Sequence, residues 1–307
     1  MSDQSKDFNV TSYDMHRRRF DARQDFERLE TWKNKDTVDF WRHERMYSCL
    51  LPFIGNNPDA RWLTVGDGRY GTDANYIVSS GAKNVLATDI SETMLRKSCE
   101  DNFIPEYKIE NAESLSFDSN SFDYVLCKES YHHFPRPMIA LYEMLRVARK
   151  SVILIEPQDQ YILDPGKMKI ITLMKGAWKT FKKAMTGKAE SHNENYEESG
   201  NYVYSISKRE IEKVALGLNY EVVSFKELND HYVDGVEFES KSSDGPLYKK
   251  VLEGISHKDK RTRLGLQPAD ILIAMIHKER PADCILSELT KAGFSHVWLS
   301  RNPYIRS

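Results

Sequence analysis

The chain has 307 residues, 40% of them hydrophobic and 29% charged, with 44 Lys and Arg against 46 Asp and Glu for a net charge of −2. That balance excludes a disordered or fibrous chain and provides no global basic field, so no nucleic-acid partner is expected. The longest apolar runs, 152–155 and 271–276, fall far short of the ~20 residues of a membrane-spanning helix, so no membrane insertion is expected. The first segment, MSDQSKDFNV, is polar and lacks a signal core. Cys49, Cys99, Cys127 and Cys284 form no CxxC pair, and they read as reduced core thiols of a cytoplasmic protein.

Residues 1–60 read as a helical cap: Phe26, Leu29 and Trp32 recur at helical spacing, and Phe40, Trp41, Met46 and Leu50 continue an apolar pattern. From Arg61 the texture becomes strand–loop–helix alternation. Strands are expected at 62–65, 84–88, 107–109, 122–127 and 151–155. Helices follow at about 74–78, after Ser91 as a candidate cap, and at 138–147. After Pro157 the pattern breaks. Residues 158–200 hold a basic amphipathic segment, with Ile171, Met174, Trp178, Phe181 and Met185 on one face, followed by a polar stretch. This reads as an inserted lid, with a surface for an anionic acceptor or a membrane as the alternative. Alternation resumes with a helix at 208–216 and a strand at 222–225. The stretch 229–267 reads as irregular. A last strand is expected at 271–276, and an edge strand at Val297, Trp298 and Leu299.

Strands alternating with helices imply an α/β fold, a Rossmann-like doubly wound sheet of mostly parallel strands with an antiparallel last strand. Four parts follow: the helical cap 1–60, a core at 61–157, the lid 158–200, and the remainder of the core with a tail at 201–307. Ligands of such sheets bind at the carboxyl ends of the strands. There, Gly66-Asp67-Gly68-Arg69-Tyr70-Gly71 follows the first strand and opens a helix. Bare glycine backbone permits a tight turn and close approach of a ligand. Asp89 lies 23 residues past Gly66, at the end of the second strand, where a carboxylate accepts both hydroxyls of a ribose. Together these predict an adenosine-type cofactor without saying which one.

Downstream stand Asn111-Ala112-Glu113-Ser114-Leu115, Ser121-Phe122-Asp123-Tyr124-Val125, His132-His133-Phe134 and Ala140-Leu141-Tyr142-Glu143-Met144-Leu145-Arg146-Val147. In these segments the chain resembles class I S-adenosylmethionine-dependent methyltransferases, in particular the small-molecule group that includes sugar and natural-product O-methyltransferases. The likeness covers about residues 60–157. It implies S-adenosyl-L-methionine as cofactor, with Gly66, Asp67 and Gly68 at its methionine part and Asp89 on the ribose. It further implies Ile90 packed on the adenine, Ala112 and Glu113 at the adenine edge, and Lys128 and Glu129 where cofactor and acceptor meet. Three positions depart from the family pattern. Thr64 stands where an acid is usual, which makes Asp67 a candidate for the methionyl amine. Tyr70 occupies the usual third glycine position. Arg149-Lys150-Ser151 replaces a proline–glycine turn.

Methyl transfer to a hydroxyl requires alignment and removal of a proton. His132 and His133 follow the fourth strand, and Glu156 follows the fifth. By resemblance to sugar O-methyltransferases with a similar segment, these are the catalytic candidates; Glu129, Asp159 and His16 are further ones. No metal-ligand spacing is present, so no metal is expected. The expected function is methyl transfer to a small-molecule acceptor, most readily a hydroxyl of a saccharide or natural product. N-methylation is an alternative, and a nicotinamide-dependent oxidoreductase on the same glycine loop is a more distant one.

Overall fold

The computed structural model describes residues 12–15, 17–18, 21, 26–160, 196 and 202–304. His16 and nearly all of the expected lid at 158–200, including its amphipathic face, lie outside the described residues.

One eight-stranded sheet organises the chain, in the order β3-β2-β1-β4-β5-β7-β6-β8. Its strands are β1 (Arg61–Val65), β2 (Asn84–Asp89), β3 (Tyr107–Ile109), β4 (Phe122–Lys128), β5 (Ala148–Pro157), β6 (Val222–Leu228), β7 (Ile271–His277) and β8 (Ser295–Trp298). The first five run parallel. β7 is antiparallel to both β5 and β6, and β8 is antiparallel to β6. The expected antiparallel strand is therefore present, set between β5 and β6, and the edge strand is a second one.

Strand composition explains the layering. Every residue of β4 and β7 is buried, as covered faces on both sides of a sheet require. Along β5, Ile153 and Ile155 pack with Trp62, Ile77 and Leu95 on one face, while Val152 and Leu154 pack with Leu141, Met144 and Phe225 on the other. Period-two alternation thus feeds two cores. The helices in those layers are α4 (Thr72–Ser79), α5 (Thr93–Glu100), α6 (Pro137–Val147), α7 (Lys208–Gly217) and α9 (Asp283–Lys291). Cys49 and Cys127 are buried, Cys99 is partly buried and Cys284 is exposed, so only two of the four thiols belong to the core.

Before the sheet come α1 (Phe26–Lys33), α2 (Val38–Tyr47) and α3 (Leu51–Asn56). The Thr37 hydroxyl caps α2 by accepting from the Phe40 amide at 2.9 Å. Its buried face holds Val38, Asp39, Arg42, His43, Met46 and Tyr47, half of it charged or polar.

Two expectations fail. The stretch 229–267 contains α8 (Pro246–Arg263), an 18-residue helix that buries only Val251 and Ile255. So thin an apolar stripe in a charged segment leaves little periodic signal. Nor does Ser91 cap α5: its hydroxyl donates to Asp21, while Glu92 stands at the cap position and makes no side-chain capping bond.

Candidate active site

β1 and β4 are neighbours whose connections leave in opposite directions, so a crevice opens at their carboxyl ends. A cavity of about 600 Å³ occupies it, lined by the glycine loop, Asp89, Ile90, Glu110, Ala112, Lys128, Glu129, His133 and residues of α2.

Gly66 turns the chain at φ +77°, and a Cβ there would lie 2.4 Å from Ser130 Cβ. A Cβ on Gly68 would lie 2.8 Å from the Asp89 carboxylate. Both positions therefore require glycine. Asp89 accepts from the Ser91 amide at 2.8 Å and lines the cavity. Burial raises its pKa to about 6, against the opposing pull of the Ser91, Gly68 and Ile90 amides.

Tyr70 explains one departure from the glycine pattern. Its φ of 62° is the left-handed conformation that glycine ordinarily supplies, and its ring is fully buried. The ring packs on Phe103 at 5.2 Å and its hydroxyl donates to Asp101. Burial of the ring outweighs the local strain. Tyr70→Gly is therefore expected to lower stability by about 2–4 kcal/mol, as aromatic loss exceeds strain relief of about 1–2 kcal/mol. Urea unfolding of the two proteins measures the difference; an unchanged midpoint would count against it.

Asp67 lines the cavity but is committed to holding α4. It accepts from the amides of Asp73 at 3.1 Å and Ala74 at 2.9 Å, and from the Thr64 hydroxyl at 2.9 Å. Burial, and then the nearby Asp73 charge, push its pKa well above the usual carboxylate range. The departure at Thr64 is thus a hydrogen-bonded support for the loop.

A polar cluster unanticipated from sequence lines the crevice beside the glycine loop. Arg69 of the glycine loop donates to His43 Nε2 at 2.7 Å and to Asp39 Oδ2 at 2.5 Å. Arg and Lys only donate, so each ring nitrogen of His43 faces a cationic donor, Arg69 at Nε2 and Lys128 at Nδ1. Nδ1 faces Glu129 Oε2 at 3.3 Å and Lys128 Nζ at 2.9 Å. Burial keeps His43 below its ordinary pKa, with Lys128 and Arg69 adding to the effect. Burial works against the Glu129 charge, yet Lys128 and His43 hold its pKa well below the usual range. Arg42 joins Asp39 to Asp230, and the segment after Asp230 supplies Tyr232 and Glu237 to the cavity wall. The helical spacing of Asp39, Arg42 and His43 was the available signal; their burial was not readable from it.

The histidine pair divides. His132 Nδ1 lies 2.7 Å from Glu156 Oε2, and His132 does not line the cavity, whereas His133 does. The two rings are 3.9 Å apart. Glu156 is fully buried, and its other oxygen accepts the Ser130 and Tyr131 amides at 2.9 and 3.0 Å. Ile90 and Ala112 line the cavity and Glu113 does not; the Glu113 carboxylate is taken by the Arg136 amide and guanidinium. Glu110 stands on the wall instead. The Asp159 amide donates to Ile206 O beyond β5, and Asp159 is likewise absent from the wall. Among the described residues no group of three or more His, Cys, Asp or Glu could hold a metal, and no helix is long and apolar enough to cross a membrane.

Residues 63–155 match the family model described as a methyltransferase domain. No curated protein matches the chain. Similar solved structures include magnesium protoporphyrin IX methyltransferase from Synechocystis with bound S-adenosylhomocysteine, at 14% identity over 85% of this chain and 97% of that one, with a TM-score of 0.46. Another is a Thermotoga maritima S-adenosylmethionine-dependent methyltransferase described as a possible histamine N-methyltransferase, at 15% identity over 78% and 92%, with a TM-score of 0.43. The YcgJ protein of Bacillus subtilis is similar at 17% identity over 76% and 100%, with a TM-score of 0.43.

Proposed function

We propose that this chain, an enzyme carrying a class I S-adenosylmethionine-dependent methyltransferase domain over residues 63–155, methylates a hydroxyl of a small molecule such as a saccharide or natural product. The domain match removes the nicotinamide alternative that the glycine loop alone left open. The observation that carries the cofactor reading is the pairing of Gly68 with Asp89. A carboxylate at the end of β2, open to the cavity, lies beside backbone that tolerates no side chain. That arrangement fits a ribose whose hydroxyls both donate to one carboxylate. Ile90 and Ala112 supply apolar surface for the adenine, and Gly66 and Gly68 bring bare backbone to the methionine part.

The bound cofactor supplies an electrophilic methyl group on a sulfonium. His133 stands on the cavity wall to take the acceptor's proton as the new carbon–oxygen bond forms and the carbon–sulfur bond breaks. Glu156 holds His132 and the Ser130 and Tyr131 amides, which fixes the turn that presents His133. The second reading is N-methylation. It draws on the carboxylate of Glu237 in the cavity wall, which suits an acceptor amine.

Thermal unfolding with added S-adenosylhomocysteine tests the cofactor reading. At a ligand concentration 100 times Kd the protein should gain about 2.7 kcal/mol, a rise of a few degrees in melting temperature. NADH should produce no shift. A shift with NADH and none with S-adenosylhomocysteine would overturn the reading.

A further inference from the structure

Charges of opposite sign reach the cavity on either side of the His43 ring: Arg69 at Nε2, and Glu129, paired with Lys128, at Nδ1. Arg69 uses Nη1 on Nε2 of that ring and Nη2 on Asp39, so two of its five N–H donors are committed. Its side chain remains 37% exposed, its guanidinium lies 5.2 Å from the Trp32 ring centroid, and it lines the cavity. Glu129 faces the other ring nitrogen. The bond from Lys128 Nζ at 2.6 Å and the approach of His43 Nδ1 at 3.3 Å both fall on Oε2, and among the described residues no donor reaches Oε1. Its side chain is 34% exposed and it too lines the cavity. Glu129 holds a left-handed φ of 49°, a conformation that a bulky side chain adopts only when its surroundings enforce it.

The residues at the foot of the glycine loop are not available for a ligand's charge. Thr64 is fully buried with its hydroxyl on Asp67, and Asp67 is spent on the amides of α4. Asp89, the other carboxylate at the loop, faces Gly68 and serves the ribose. A cation and an anion held rigidly at opposite edges of one imidazole, beside the glycine loop, match a ligand group that carries both signs on adjacent atoms. An α-amino acid end is such a group: its carboxylate pairs with a guanidinium, and its ammonium donates to a carboxylate.

We infer that Arg69 and Glu129 recognise the zwitterionic amino-acid end of the cofactor, Arg69 taking the carboxylate and Glu129 the ammonium. The inference rests on the S-adenosylmethionine reading of the site. His43 and Asp39 are then positioning residues, since they fix the directions in which the two charges point.

Calorimetric titration of the full chain separates the two ideas. Two ligands are compared: S-adenosylhomocysteine, and 5′-methylthioadenosine, which keeps the adenosine and thioether but lacks the amino acid. Arg69→Met and Glu129→Gln are each expected to weaken S-adenosylhomocysteine by about 10- to 100-fold. Each should change methylthioadenosine by less than about threefold. Equal losses for both ligands would mean that the two residues only shape the loop, and unchanged affinities would mean that they do not touch the ligand; either result overturns the assignment. Wild-type protein that binds methylthioadenosine as tightly as S-adenosylhomocysteine also overturns it while leaving the cofactor reading intact. Binding of neither ligand overturns both. Glu129→Gln preserves shape, so it decides the matter alone should Arg69→Met fail to fold.

Discussion

His133→Ala is expected to turn over about 10²–10⁴-fold more slowly than wild type while binding S-adenosylhomocysteine equally well. His133 lines the cavity at the end of β4, where an acceptor must approach the methyl group. A neutral imidazole there can take a hydroxyl proton as the oxygen attacks; a protonated one cannot. Its neighbour His132 is tied to Glu156 and lies off the wall, so His132→Ala should cost less. Glu156→Gln keeps one acceptor for the Ser130 and Tyr131 amides but removes the charge facing His132, and it should slow the reaction by less than loss of His133. Single-turnover rates across pH read all three. If His133→Ala retains near-normal rates, the pair only orders the loop. An acceptor nitrogen, whose lone pair needs less help from a base, would then be favoured.

What could be read from sequence followed local chemistry. Gly66, Gly68 and Asp89 occur at a fixed place in a strand–loop–helix unit, so their meeting follows from the topology alone. The approach of His132 to Glu156 follows likewise from β4 and β5 being adjacent. The parts that escaped depend on packing between distant elements. Asp39, Arg42 and His43 lie on the inward face of α2, but three polar side chains at helical spacing ordinarily mark an outward face. Only the arrival of Arg69, Lys128 and Asp230 makes their burial tolerable, because each charge finds a partner. Glu113 stands off the cavity wall for a related reason. The motif places it near the adenine, but nothing in the motif reveals that Arg136 claims its carboxylate. α8 escaped because two buried residues in a long charged helix barely register as a pattern.

Asp89→Ala is expected to weaken S-adenosylhomocysteine by at least tenfold and up to about a thousandfold. Each bond from a ribose hydroxyl to a charged carboxylate is worth about 1.5–3 kcal/mol. The unmutated protein offers a second signature. Burial raises the Asp89 pKa to about 6 in the ligand-free protein, and the ionised form is the better acceptor for two hydroxyls. Affinity should therefore rise with pH through about 6 and level off above it, with a loss of about tenfold at pH 5. Stability carries the opposite sign. The folded pKa lies above the unfolded value, so the unfolded chain releases this proton first. The carboxyl's contribution to stability is fully present below about pH 4 and is lost as pH rises to about 6. Asp89→Asn removes that loss, so relative to wild type it should gain up to about 3 kcal/mol between pH 4 and pH 6 in the absence of ligand. A variant that binds less tightly yet unfolds later is the mark of a carboxylate desolvated for a ligand. Calorimetry and urea unfolding at pH 4, 5, 6 and 7 test both halves. An affinity indifferent to Asp89→Ala and to pH would mean that the ribose lies elsewhere in the crevice.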